Sequence, residues 1–270
     1  MKIATWNINS LTVRLPQVLD WLAANPVDVL CLQELKLSDE KFPIQALQDI
    51  GYHSAFLGQK TYNGVALLSR TPARDVVKNI TGFEDEQSRV ITATFDMPPS
   101  ESGKSGELGA QGEVRVINGY FVNGQAPDSE KFVYKMKWLN ALRVQVQREI
   151  AMHQHVVLVG DFNITVDDRD TYDPEGLRET IHHTTEERDQ FQALIDSGLV
   201  DAFRLFEQPE KSYSWWDYRE FAFRRNRGLR IDHILVSPAL QPKVSSCTID
   251  RLPRKNERPS DHAPVTAALV

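Results

Sequence analysis

Asp161 and Asn163 close the apolar run Val156-Val157-Leu158-Val159-Gly160-Asp161-Phe162-Asn163-Ile164. The valine-rich part reads as a buried strand that stops at Gly160. Residues two apart at the end of an extended strand point the same way. A carboxylate and a carboxamide then share a small space just past the strand, where the sites of layered α/β proteins often sit. Their oxygens are hard donors of the kind that hold Mg²⁺ or Mn²⁺. Taken alone, Asp-x-Asn reads equally well as a polar turn closing a core strand.

The same chemistry recurs along the chain. Asn7 follows the apolar stretch 2–6, Glu34 follows 29–32, and Asn118 and Tyr120 end the stretch 114–120. Asp232 lies within Leu229-Arg230-Ile231-Asp232-His233-Ile234-Leu235-Val236. A carboxylate inside a buried strand is costly unless it is paired or ligated. The histidine of Ser260-Asp261-His262-Ala263-Pro264 is the best partner in the sequence. Each residue alone reads as a cap or a satisfied buried polar group. Their recurrence at strand ends reads as one site.

Apolar patterning supplies the elements that would carry these residues. Strands are expected at 2–6, 29–32, 65–68, 90–95, 114–120, 156–159, 213–216, 231–236, 247–249 and 265–269. Leu15, Val18, Leu19 and Leu22 fall at helical spacing before Asn25-Pro26. Residues 129–152 form a long amphipathic helix through Phe132, Met136, Leu139, Leu142, Val146 and Ile150. A further helix spans 186–197, before Gly198. Residues 101–112, rich in Gly, Ser and charge, read as a surface excursion between two strands. The polar segment 165–185 is too long for a connector without a role. No Pro/Gly linker divides the chain, so residues 1–270 read as a single α/β domain with two sheets and outer helices.

Composition narrows the class. The net charge of −6 argues against a simple polyanion binder, but an enzyme needs only a local basic rim. Two basic clusters could provide it: Arg224, Arg225, Arg227 and Arg230, then Arg251, Arg254, Lys255 and Arg258. No apolar run is long enough for a membrane span, and the N-terminal residues run straight into a strand pattern. The two cysteines, Cys31 and Cys247, read as core thiols in a reducing compartment. The expectation is a cytoplasmic monomer without a membrane partner.

The ordered set Trp6-Asn7-Ile8-Asn9-Ser10, Leu32-Gln33-Glu34, Gly64-Val65-Ala66, Asn118-Gly119-Tyr120, Gly160-Asp161-Phe162-Asn163-Ile164, Gly228-Leu229-Arg230-Ile231-Asp232 and Pro259-Ser260-Asp261-His262-Ala263-Pro264 resembles the exonuclease III family of the endonuclease/exonuclease/phosphatase superfamily. The resemblance runs the full length. It implies a four-layered α/β sandwich, two mixed β-sheets face to face with helices outside. It also implies a Mg²⁺-dependent repair nuclease, with Mn²⁺ as the alternative ion. The substrate would be duplex DNA carrying nicks, 3′ ends or abasic sites. By the same resemblance Glu34 is the principal metal ligand, with Asn7 nearby and Asp261 at or beside a second metal position. Asp161 and Asn163 border the metal. Asp161 orients or deprotonates water, or protonates the leaving oxygen, and Asn163 stabilises the charged transition state. Asp232 holds His262 against the scissile phosphate, and Tyr120 is the site tyrosine. Arg89 contacts phosphate, and Trp216 lines the pocket that receives the sugar.

The physics suits those roles. Phosphodiester hydrolysis needs charge neutralised on non-bridging oxygens, by a Lewis acid and fixed donors. Asp232 would favour the imidazolium form of His262. Other readings are a superfamily phosphatase acting on inositol phosphates or lipids, a sphingomyelinase, and a DNA-binding scaffold without catalysis. The first two sit badly with Ser214-Trp215-Trp216-Asp217-Tyr218-Arg219 and the lack of an amphipathic membrane-binding stretch. The intact polar set speaks against the third. His182 and His183 lie in the segment expected beside the DNA groove. An imidazole projecting into the pocket would narrow the path for an internal backbone while leaving a 3′ end free to enter.

Overall fold

Twelve strands rich in Val, Ile, Leu and Phe build two six-stranded sheets. In the computed structural model, residues 1–97 and 112–270 are described; the expected excursion at 101–112 therefore falls, but for Gly112, outside the described residues. The first half runs β1 (Lys2–Asn7), α1 (Leu11–Ala24), β2 (Val29–Gln33), α2 (Ile44–Gln48), β3 (His53–Leu57), β4 (Val65–Ser69), β5 (Arg74–Lys78) and β6 (Val90–Asp96). It continues with β7 (Glu113–Tyr120), α3 (Glu130–Met152), β8 (Val156–Asp161), α4 (Thr185–Asp196), β9 (Val200–Asp201), α5 (Ala222–Arg225), β10 (Asp232–Val236), β11 (Val244–Ile249) and β12 (Val265–Leu269).

One sheet has the order β11-β12-β1-β2-β4-β3 and the other β5-β6-β7-β8-β10-β9. Both are mixed: β1–β2 and β7–β8 pair in parallel, and the other pairs are antiparallel. Between them lies a core of Ile3, Val29, Cys31, Val65 and Leu67 against Ala93, Phe95, Val116, Val157, Val159 and Ile234. The outer face of the first sheet packs through Trp6, Leu30 and Leu32 on Val18, Trp21 and Leu22 of α1. The outer face of the second packs through Ile117 and Leu158 on Trp138, Leu139, Leu142, Phe191 and Leu194 of α3 and α4. This is the four-layered sandwich that the family resemblance implies. Both cysteines are free and buried in the inter-sheet core. No helix among the described residues is long and apolar enough to cross a membrane.

Three strands escaped the sequence reading. β5 is an exposed edge, β3 is only half-buried, and β9 has two residues, so none carries a strong apolar pattern. The strand expected at 213–216 does not form. Trp215 makes only isolated bridges, to Leu229 and His262, and Tyr213 and Trp216 pack in a small separate cluster with Ala222 and Ala263. The basic clusters are also not simple solvated loops. Arg230 is fully buried, and Arg254 is buried with Nη1 donating to the Ser260 carbonyl.

Candidate active site

Strand register gathers the polar ends. In the second sheet Tyr120 of β7 and Asp232 of β10 both lie opposite Asp161 of β8. In the first sheet Asn7 of β1 lies opposite Gln33 of β2, with Glu34 one residue beyond. The close approach of β7 and β8 at this end requires glycine. Gly160 has φ 146°, and a Cβ there would lie 1.8 Å from the Gly119 carbonyl oxygen. Past the strands the backbone turns left-handed at Glu34 (φ 54°) and Asn163 (φ 51°). For a non-glycine residue that conformation costs on the order of 1 kcal/mol, a strain concentrated at functional sites.

Asn7 bridges the two sheets. Its Nδ2 donates to Glu34 Oε1 and to Asp161 Oδ2, both at 2.9 Å. A second cross-sheet tie lies below it, where Gln33 Nε2 donates to Asn118 Oδ1 at 2.7 Å and Asn118 donates to the Leu32 and Ala66 carbonyls. Asn118 is thus a structural rung. Asn163 donates its N–H to Asp161 Oδ1 at 3.0 Å and its carboxamide to the Phe121 carbonyl at 3.1 Å.

Asp232 and His262 meet as their burial demands. The ring Nδ1 lies 2.9 and 3.1 Å from the two carboxylate oxygens, and the Ser214 hydroxyl donates to Oδ2 at 2.6 Å. Nε2 faces the site, 3.7 Å from Asp161 Oδ2. Burial alone would lower the His262 pKa, but the adjacent Asp232 and then Asp161 outweigh it and raise it well above the usual value. Asp161 is also raised, chiefly by burial and then by Asp232 and Glu34, against His262 and the Asn7 hydrogen bond. Burial, with Glu34 and Asp161 nearby, holds the Tyr120 phenol well above its ordinary range, so it is an O–H donor.

Arg89 is buried, and three of its contacts fix it: Nε and Nη2 on Gln87 Oε1 at 2.9 and 2.6 Å, and Nη1 on the Tyr120 carbonyl at 3.1 Å. Among the described residues no carboxylate lies within ion-pairing distance, so this guanidinium keeps its charge and spare donors for an anion. Trp216 does not line an open pocket. It has no exposed surface, and its Nε1 donates to Asn226 at 3.1 Å. The half-buried neighbour Trp215 is the one next to the site, with Nε1 donating to Asp261 Oδ2 at 2.9 Å. The sequence shows two adjacent tryptophans and gives no sign of which is inward.

The donors suit a divalent cation. Glu34 and Asp161 share Asn7, which brings two carboxylates from the two sheets to one point. Asp161, Asp232 and His262 also bring ligand atoms within 4.8 Å of one another, although Asp232 is engaged by His262 and Ser214. Asp261 is occupied on both oxygens, by Asn9 Nδ2 at 2.9 Å and by Trp215. Lys36, not foreseen in the sequence, places Nζ 2.7 Å from Glu34 Oε2 and 2.6 Å from Asn9 Oδ1. Ser214 and Gln33 stand in the quoted motifs Ser214-Trp215-Trp216 and Leu32-Gln33-Glu34, but a neutral polar residue there gives no sign of its partner, and neither was assigned a role.

His182 and His183 separate sharply. His183 is buried, with Nε2 3.1 Å from the Thr171 hydroxyl. His182 is half-buried, with Nδ1 2.7 Å from the Asn163 carbonyl and Nε2 3.4 Å from Asn123 Nδ2. Burial, then Lys135, pushes the His182 pKa down to about 3, so the ring is neutral.

A two-sheet sandwich with a carboxylate-rich polar cluster at one end defines a class of metal-dependent phosphoesterases, and comparison with known proteins agrees. The model of the Endonuclease/Exonuclease/phosphatase family matches residues 4–262, and the chain belongs to that family. Exodeoxyribonuclease III of Haemophilus influenzae is 37% identical over 276 residues, covering 99% of this chain and 99% of that protein. NExo from Neisseria, a 3′ phosphatase solved with a product DNA hairpin, shares 50% identity at a TM-score of 0.92, covering 100% of this chain and 99% of that one. An AP endonuclease from Archaeoglobus fulgidus shares 34% identity at a TM-score of 0.89, with the same coverage. The chain is a DNA repair nuclease of the exodeoxyribonuclease III type, a hydrolase of phosphodiester bonds.

Proposed function

We propose that the protein is a Mg²⁺-dependent nuclease acting at the 3′ ends and nicks of duplex DNA, where it removes 3′-phosphates and terminal nucleotides, and that it cuts internal abasic sites less well. The observation that carries the end preference is His182. Its neutral ring is fixed on the Asn163 carbonyl and has Asn123 on its other side. A fixed ring beside Asn163 narrows the cleft for a continuous backbone, which must also be distorted and unstacked to present a flipped sugar. A 3′ end frays and enters with less distortion. The 50% identical relative described as a 3′ phosphatase supports the same reading.

Glu34 and Asn7, with Asp161 and Asn163 bordering and Asp261 at or beside a second position, would hold the ion, which when bound supplies Lewis acidity to the phosphate. Asp161, 3.7 Å from His262 Nε2, orients and deprotonates the attacking water or protonates the leaving oxygen. His262 presents Nε2–H as an imidazolium donor to a non-bridging oxygen, held there by Asp232. Asn163 and the Tyr120 phenol donate to the charge that develops in the transition state, and Arg89 binds a flanking phosphate. Trp215 offers the aromatic face for a sugar or terminal base.

Initial rates with Mg²⁺ on two nicked or intact duplexes test the reading: one bears a 3′-phosphate, the other an internal abasic analogue. The parent is expected to favour the first. His182→Gly, which suits the positive φ of 70° there, should raise abasic cleavage relative to 3′ trimming. Equal parental rates on both substrates, with no response to the substitution, would refute the gate.

A further inference from the structure

Lys135 has no exposed surface, although it shares the buried face of α3 with Phe132, Trp138 and Leu139. Its ammonium donates to the Asn163 carbonyl at 2.8 Å, to the Asn123 carbonyl at 3.3 Å, and to Glu187 Oε1. Glu187 is equally buried. An ammonium has three N–H donors, and all are met. Stability does not explain such a pair, because well-packed apolar residues in its place are often as stable or more so. What the pair touches does explain it.

Asn163, in its left-handed turn, gives its carbonyl to Lys135 and to His182 Nδ1. Asn123, the second acceptor, directs its own Nδ2 at Asn163 Oδ1, 3.3 Å away. The free oxygen of Glu187 accepts from the Thr184 N–H and hydroxyl at 3.1 and 2.9 Å, closing the turn that follows His182 and His183. One ammonium therefore joins three segments: the loop after β7, the turn after β8, and the first turn of α4. All three meet around Asn163.

We infer that Lys135, with Glu187 as its counter-ion, is a positioning residue for the nuclease reaction, fixing both the Asn163 carboxamide and the His182 ring at the scissile phosphate without touching substrate. The inference rests on the proposed role of Asn163. Lys135→Met alone would leave a buried carboxylate without its cation, so the test removes both charges. Phosphate release from a 3′-phosphorylated nick with Mg²⁺ is measured in the parent, K135M/E187Q, N163A and the triple variant. Misplacement by about an ångström costs on the order of 10²-fold, so kcat of the double variant should fall roughly that far while KM stays within about twofold. In that background N163A should add at most about threefold, whereas in the parent it should cost on the order of 10²-fold or more. The inference is overturned if the double variant keeps kcat within about threefold of the parent, or if N163A costs the same factor in both backgrounds. Should the double variant fail to melt cooperatively, K135M/E187L, which likewise leaves no buried charge, takes its place in the same cycle with the same criteria. A parent that releases no phosphate would instead refute the proposed function.

Discussion

Asp232→Asn separates the charge of the Asp232–His262 pair from its shape. The carboxylate holds Nδ1 at 2.9 and 3.1 Å and is itself anchored by the Ser214 hydroxyl. Two opposite charges about 4 Å apart in a medium of effective dielectric about 20 attract by about 4 kcal/mol. That corresponds to about three pKa units on the imidazole. Without it, burial drives His262 toward the neutral ring, and the donor facing the phosphate loses its charge. The rate of 3′-phosphate release should fall on the order of 10²-fold or more near neutral pH. The profile should also change shape. In the parent, imidazolium persists as pH rises; in the variant it is lost at lower pH, so the deficit should shrink in acid and widen in base. The assay is kcat from about pH 6 to 9 at saturating metal, with circular dichroism to check the fold. Parental activity with an unchanged profile would show that Asp232 is only a packed strand residue and that His262 needs no charge.

Three further outcomes follow from the geometry. Glu34→Gln should keep the fold and lose most activity at low Mg²⁺, with partial rescue at high metal; an unchanged metal titration would remove Glu34 from the ligand set. Gly160→Ala places a methyl 1.8 Å from the Gly119 carbonyl, so β7 and β8 must part, and urea denaturation should show a loss of several kcal/mol. His233 is buried with Nδ1 against Arg230 Nη1, and burial followed by Arg230 pushes its pKa down to about 4. The native ring is neutral while the unfolded one takes up a proton below about pH 6.5, so stability falls as pH drops from about 6.5 to about 4, by about 3 kcal/mol. His233→Gln should flatten that part of the stability-versus-pH curve measured by urea titration.

The layered architecture was legible because nine of the twelve strands carry an uninterrupted or alternating apolar pattern. Of the edge strands only β11 was, since β5 is nearly all exposed, β3 is half-buried and β9 is too short to show a period. Asp232 was legible for a different reason: a carboxylate flanked by Ile231 and Ile234 must be paired, and its partner His262 proved to be the histidine of the Ser-Asp-His segment. The resemblance picked Trp216 for the pocket, whereas the structure buries it and turns Trp215 to Asp261, because no regular strand forms there to set which faces inward. Lys135 was invisible for the opposite reason. It sits at the buried spacing of an amphipathic helix, where a lysine normally marks the boundary of the apolar face. Only the meeting of three distant segments gives it meaning.

The placement of β1 has a consequence for synthesis. β1 is flanked by β2 on one side and by β12 on the other, and the Met1 ammonium and Leu269 carbonyl lie 2.6 Å apart. The Ser260 hydroxyl donates to the Asn7 carbonyl, and Trp6 Nε1 to the His262 carbonyl. The first residues of the site to leave the ribosome therefore wait for the last. Chains are made from the N-terminus, and segments that can bury their own surface fold first. Here the centre closes only when β12 is laid against β1, so a nascent or prematurely ended chain holds Glu34, Asp161 and Asp232 without the imidazole that completes them. Assembly of the site is therefore coupled to completion of the first sheet, not to the folding of either half of the chain.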